Sequence, residues 1–197
     1  MAGASPTSQR VVIVRHGETE WSREQRHTGR TDVPLTDAGR RQAEALGGML
    51  RQWRFAAVYT SPLQRARETC RLAGCGEGAV ILEDLVEWDY GAYEGLTGRQ
   101  IHESRPGWSL WRDGVPDGET LQHVALRAER VLAAVRSVHG DVLLIAHGHL
   151  LRVLSARWID LAAIDGQRLF LGTATPSELG YEHDWTVIRR WNIDVPE

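Results

Sequence analysis

Two stretches decide the fold: Val11-Val12-Ile13-Val14-Arg15-His16-Gly17 and Val142-Leu143-Leu144-Ile145-Ala146-His147-Gly148. Each opens as a short, unbroken apolar run, β-branched throughout in the first. Such a run is expected of a strand buried on both faces, as in a parallel sheet covered by helices. Each then runs straight into His-Gly. In an open α/β sheet, ligands bind beyond the carboxyl ends of the strands. Both imidazoles are therefore expected at one binding edge. The glycine after each histidine removes a side chain and lets the backbone approach a ligand. A helix starting at Gly148 would aim its N-terminus at the same place, which favours an anion. Either histidine alone would read as an ordinary half-buried side chain. Two in matching positions argue for a site.

The rest of the chain alternates around these strands. Thr36 before Asp37 is a helix start, followed by Ala38, Gln42, Ala45, Leu46, Met49, Leu50 and Trp53 at helical spacing. Ala56 to Thr60 reads as a strand. Ser61-Pro62 reads as the opening of another helix, with Ser as cap and Pro in the first turn, and Gly74 ends it. Ala79 to Leu82 is a short strand candidate. Glu119 to Val138 is expected as a helix with Leu121, Val124, Ala125, Ala128, Val131, Leu132, Val135 and Val138 on one face. A helix over 148–160 and a hairpin over 178–191, turning at His183-Asp184, complete the pattern. This predicts an α/β fold: three layers, α/β/α, on a mostly parallel central sheet with antiparallel strands near an edge. Residues 1–9 are expected as a loose tail and 10–197 as a single domain. The glycine-rich stretch 83–118, with Trp88, Trp108 and Trp111, is expected as an inserted active-site lid containing a short helix. Its tryptophans either wall the pocket or pack the lid.

Composition excludes several classes. The chain has 197 residues, 23 Lys plus Arg and 26 Asp plus Glu, for a net charge of −3. A nucleic-acid binder usually shows a strongly basic balance, so none is expected. No apolar run approaches the roughly 20 residues a membrane helix needs. MAGASPTSQR shows no secretory signal pattern. Cys70 and Cys75 match neither a disulfide framework nor a zinc ribbon. A cytoplasmic protein with reduced thiols is expected.

Further residues point to phosphoryl chemistry. Arg65 and Arg67 follow the helix start at Ser61-Pro62, where a cation is mildly unfavourable unless something offsets it. A bound anion would do so for either, and for Arg67 an ion pair with Glu68 would serve equally. Arg15, beside His16, adds a second guanidinium. Two histidines, two arginines and a helix N-terminus make a pocket for a small dianion, most naturally a phosphoryl group. Such a pocket needs no further anion for binding. A carboxylate from Glu83, Asp84, Glu87 or Asp89 is therefore either a proton donor or part of a solvated face. A carboxylate beside the apolar Trp88 suits the first role. His147 and His149, at i and i+2 at a helix start, do not share a face, so no metal site and no cofactor is expected.

In order, Arg15-His16-Gly17-Glu18-Thr19, Thr28-Gly29, Leu35-Thr36-Asp37-Ala38-Gly39, Ser61-Pro62 with Arg65-Ala66 and Thr69, Glu87 with Tyr90-Gly91 and Glu94-Gly95-Leu96, and Ala146-His147-Gly148-His149 resemble the histidine phosphatase superfamily, the phosphoglycerate-mutase-like group. The match runs over 11–160. The resemblance implies that His16 is a nucleophile that becomes phosphohistidine. It implies that Arg15, Arg65 and His147 bind the phosphoryl oxygens and that Glu87 is the general acid and later the base. Thr28 and Gly29 fall where the family contacts phosphate or substrate, and Ser22 stands where many members have an asparagine. Gly148, His149, Trp88 and Tyr90 complete the expected binding set. Cofactor-dependent mutases of this group resemble one another in an arginine after the catalytic glutamate and a paired arginine in the lid. Here Trp88 follows Glu87 and Asp113 follows Arg112, which favours hydrolysis over transfer. Glu87-Trp88-Asp89-Tyr90-Gly91 and Trp111-Arg112-Asp113-Gly114 look more like actinobacterial acid-phosphatase-like proteins and the fungal sedoheptulose-bisphosphatase. The implied substrate is a small phosphorylated metabolite, and a homodimer through an edge strand fits such a fold.

Overall fold

The computed structural model describes residues 9–196. The six strands β1 (Val11–Arg15), β2 (Phe55–Thr60), β3 (Val80–Ile81), β4 (Asp141–Ala146), β5 (Pro176–Glu182) and β6 (Trp185–Arg190) form one sheet in the order β3-β2-β4-β1-β5-β6. The first four in that order run parallel, and β5 and β6 are antiparallel at one edge. This is the expected mostly parallel sheet.

The pleat sorts the apolar runs onto two faces. Val12, Val14, Leu143 and Ile145 face Leu46 and Leu50 of α2 (Asp37–Leu50) and Ala66 and Cys70 of α3 (Gln64–Leu72). Val11, Ile13, Val142 and Leu144 face α6 (Leu121–Arg136) and α7 (Gly148–Trp158). Helices therefore cover both faces. A four-residue helix, α1 (Glu20–Arg23), lies in the loop after β1. Thr19 and Ser22 cap its start reciprocally. No helix among the described residues is long and apolar enough to cross a membrane.

Several local expectations shift. Ser61 does not cap α3, whose N-cap is Leu63 with no side-chain bond. Pro62 lies before the helix, and Ser61 turns to a histidine instead. On α2 Leu46 and Leu50 are buried as expected, with Gly39 and Ala43 buried in place of Ala38 and Gln42. Gln9 is buried, with Nε2 within 2.9–3.1 Å of the carbonyls of Val135, Val138 and Gly140. The rest of the expected tail lies outside the described residues.

The stretch 83–118 carries two short helices, α4 (Gly98–Ser104) and α5 (Leu110–Asp113). Trp88 is fully buried and Trp108 is buried with it. Their indole N–H groups donate to the carbonyls of Glu119 and Gly114. Both rings therefore pack the interior. The expected role of Trp88 in binding substrate is corrected: its ring joins the core cluster, edge-on to Trp111.

One buried ion pair fixes the start of this stretch. Arg127, on the otherwise apolar face of α6, pairs with Glu119 at 2.6 Å and donates to the carbonyls of Asp84 and Val86. Removing one partner of a buried pair leaves an uncompensated charge, at a cost of about 3–5 kcal/mol. Arg127→Ala should therefore lower the unfolding free energy by about 3 kcal/mol in urea titrations. A loss below about 1 kcal/mol would mean the pair does not hold this segment.

Candidate active site

β1 and β4 are parallel neighbours with Arg15 opposite Ala146. The next residue on each is histidine. Their rings meet edge-on with centroids 5.2 Å apart. The His16 amide donates to the Ala146 carbonyl and continues the ladder by one residue. Gly17 packs so close to α2 that a Cβ would sit 2.4 Å from the Gly39 carbonyl oxygen.

His16 Nδ1 lies 2.7 Å from the Gly17 carbonyl oxygen, which can only accept. That contact places the proton on Nδ1 and leaves a lone pair on Nε2. Burial holds the His16 imidazole well below the usual histidine range, with Arg65 and Arg15 pushing the same way. The nitrogen available to a ligand is thus neutral and nucleophilic at pH 7.

His147 is fully buried and both its nitrogens are engaged. Nδ1 accepts from Arg65 Nε at 3.2 Å, so Nε2 donates to Ser61 Oγ at 2.7 Å. Burial, then Arg65, lowers its pKa well below normal. Arg65 is also fully buried. Its remaining N–H groups donate to the carbonyls of Thr28, Gly29 and Thr31 at 2.7–3.2 Å. Gly29 serves here as an acceptor under Arg65. Its own amide donates to Glu94, and a Cβ would meet the Trp88 carbonyl oxygen at 2.5 Å. Its expected contact with substrate is corrected accordingly, since it does not line the open cavity.

That cavity, of about 450 Å³, is lined by Arg15, His16, Ser22, Thr28, Glu87, Tyr90, Gly148 and His149 among others. Arg65 and His147 lie behind His16 and do not reach its surface. Arg15 donates through Nη1 to the Leu171 carbonyl, while its buried Nε has no partner among the described residues. Ser22 reaches the cavity, but its hydroxyl already bonds the Thr19 backbone. Tyr90 Oη and His149 Nδ1 lie 2.6 Å apart. Burial pushes the Tyr90 phenol well up and the His149 imidazole well down.

Of the four acidic candidates, Glu87 alone lines the cavity. Asp84 pairs with Arg130, Asp89 with Arg30, and Glu83 is exposed. Glu87 Oε1 accepts from the amides of Trp88 and Leu150, and Oε2 from that of His149. The helix start expected to face a ligand anion thus holds this carboxylate. Arg67 is exposed and outside the cavity, and Glu68 is taken by Arg40.

The model of the histidine phosphatase superfamily (branch 1) matches residues 11–194. The chain belongs to that superfamily. An acid phosphatase of Mycobacterium tuberculosis is 43% identical over 180 residues, 89% of this chain and 88% of that protein. The sedoheptulose 1,7-bisphosphatase of Saccharomyces cerevisiae is 37% identical over 184 residues, 77% and 68% of the two chains. A solved structure of a Mycobacterium tuberculosis open reading frame superposes with a TM-score of 0.91 at 39% identity, covering 96% of this chain and 100% of that one.

The sequence reading of this histidine phosphatase missed several residues at the cavity. His27, Arg152 and 170–173 line it, and Ser61 and Thr69 brace the histidine loops. Ser61 and Thr69 stand within the quoted motifs and Arg152 lies on α7, but nothing in their spacing points to these contacts.

Four depressed histidines, His16, His27, His147 and His149, set a pH dependence. Unfolded, they protonate near pH 6.5, whereas in the fold the charged form is disfavoured. Below that pH the unfolded state binds more protons, so stability falls with pH there and is unaffected by these groups above it. The urea midpoint should be lower at about pH 5.5 than at about pH 7.5. At about pH 6, nitrogen NMR should show His16 neutral and protonated on Nδ1. A mostly protonated ring at that pH would contradict this geometry.

Proposed function

We propose that this chain is a metal-independent phosphoric monoester hydrolase that works through a phosphohistidine at His16. The observation that carries this reading is the His16 ring, with Nδ1 tied to the Gly17 carbonyl and Nε2 left as the nucleophilic nitrogen, in a cavity that Arg15 also lines. Nε2 attacks phosphorus and the ester P–O bond breaks. Glu87 gives its proton to the departing oxygen. Water then attacks the phosphohistidine, Glu87 takes back a proton, the P–N bond breaks and inorganic phosphate leaves. Splitting one displacement into two lowers each barrier. The charge spread over the equatorial oxygens is met by Arg15, with Arg65 and His147 behind it. Side chains supply the positive charge, and no metal is called on.

The substrate is a phosphomonoester of a small metabolite, of the sugar-phosphate type. Relatives bearing phosphatase names support this. So does Arg112, which pairs with Asp113 at 2.9 Å outside the cavity and is not placed to hold the carboxylate of a mutase substrate. The chain acts as one domain over 10–197, with 83–118 as its inserted segment. Its free thiols, Cys70 and Cys75, fit a reducing cytoplasm. The outer edge of β6, with exposed Trp185, offers a homodimer surface.

Rapid quench with substrate should leave acid-labile phosphate on the wild-type protein and none on His16→Ala. Near-normal turnover by His16→Ala would overturn the reading. A chelator should leave the rate unchanged, and a rate restored by zinc or magnesium would argue for a metal instead.

The role of Glu87 has its own test. A positioned acid contributes about 10²–10⁴-fold, and most where the leaving group needs a proton. Glu87→Gln should slow sugar phosphates at least about 10²-fold more than p-nitrophenyl phosphate. Equal losses on both esters would remove Glu87 from the acid role.

A further inference from the structure

One side of the cavity consists of Phe170, Leu171, Gly172 and Thr173, a loop between a 3₁₀ turn (Ala163–Arg168) and β5. Leu171 and Ala174 are buried and anchor the loop from below. Phe170 is not buried: its ring is 71% exposed at the cavity's edge. The loop is tied to the reactive end of β1. Arg15 donates to the Leu171 carbonyl, and the Ala174 amide donates to the Arg15 carbonyl at 2.9 Å.

The other attachment comes from the far end of the chain. Trp191 Nε1 donates to the Phe170 carbonyl at 2.5 Å. Asn192 Oδ1 accepts from the Gly172 amide at 2.6 Å and from Thr175 Oγ1 at 2.8 Å. Asn192 itself is fixed by its amide on Ser177 Oγ at 2.8 Å, with φ of 52°. Asparagine tolerates that left-handed backbone better than most residues. A single side-chain oxygen thus gathers two donors of the loop, and the backbone around it is shaped to deliver that oxygen.

We propose that 170–173 is the substrate-selecting wall of the site, that the Phe170 ring packs against the carbon skeleton beyond the phosphoryl group, and that Asn192 is the positioning residue that holds the wall. This rests on the phosphatase reading above. A phosphoryl group bound between His16 and Arg15 occupies only the inner end of a cavity of about 450 Å³. The skeleton must lie along the remaining walls, and Phe170 is the large apolar surface displayed there. An apolar ring left in water gains from covering the carbon face of a ligand. The ligand class is a phosphomonoester with an extended skeleton, such as a six- or seven-carbon sugar phosphate, in preference to a three-carbon one.

The experiment compares kcat/KM for a hexose phosphate and for glycerol phosphate in the wild type and three variants. Both esters carry the same phosphoryl group, so the ratio cancels effects on the chemistry they share. The wild type should favour the hexose phosphate. Phe170→Ala, at an exposed position, should cut that preference about tenfold, read as a rise in KM for the hexose phosphate. Asn192→Gly keeps the left-handed backbone but loses the acceptor, and should lose the preference in the same way. Asn192→Asp keeps the acceptor and should retain it. An unchanged ratio in both Phe170→Ala and Asn192→Gly, with turnover intact, would overturn the wall while leaving the phosphatase reading standing. Loss of preference in Asn192→Asp as in Asn192→Gly would overturn the positioning role of Asn192. Wild-type protein that turns over neither ester would overturn the phosphatase reading, and the wall with it.

Discussion

The parallel pairing of β1 with β4, in the register that sets Arg15 opposite Ala146, is the constraint on which the rest depends. A strand ladder fixes residues to within a fraction of an ångström, which loops seldom do. Extending each strand by one residue brings His16 and His147 edge to edge. A slip of one residue would turn every buried side chain of β1 to the other face. The alternation of Val11 and Ile13 against α6 and α7, with Val12 and Val14 against α2 and α3, forbids it. The core thus enforces the geometry of the site.

That geometry places charge where water is scarce. Arg65 is fully buried with no carboxylate partner among the described residues, and a lone buried cation costs several kcal/mol unless its protons are satisfied. Three carbonyl oxygens of 28–31 and the Nδ1 of His147 satisfy it. Glu94 holds that loop by accepting from the amides of Gly29 and Thr31. The Glu87 carboxyl group is held by amides of the first turn of α7. A helix N-terminus favours an anion, and here it holds a carboxyl group of the protein itself. Arg65 and Glu87 flank the two imidazoles, each held by backbone dipoles. Burial holds His16 and His147 neutral, and the positive field of the arginines adds to it.

The loops show how distant chain segments converge. Arg127 reaches from α6 to hold 84–87, and Asn192 reaches from beyond β6 to hold 172–175. Trp88 and Trp108 pack between them as interior, edge-on to histidines, and the half-buried Trp111 lies edge-on to Trp88. A stretch rich in glycine and tryptophan is therefore packed core over much of its length. Rings that could have walled the cavity support it from behind.

The sequence by itself determined the buried strands, the helices between them and the terminal hairpin, because period and cap signals are local. It also picked out His16, His147, Arg15, Arg65 and Glu87 as a set, because motif order survives without coordinates. Tertiary structure alone decided how they divide. His16, Arg15 and Glu87 open into the cavity, while Arg65 and His147 stand behind it. It decided that the start of α7 serves Glu87, that Ser61 faces His147 instead of capping α3, and that Trp88 and Gly29 are scaffold. The same holds for the loop 170–173 and its ties to Trp191 and Asn192. The physical reason is common to all of these. Which donor meets which acceptor depends on chain segments far apart in sequence, and spacing along one segment carries no record of what another brings to it.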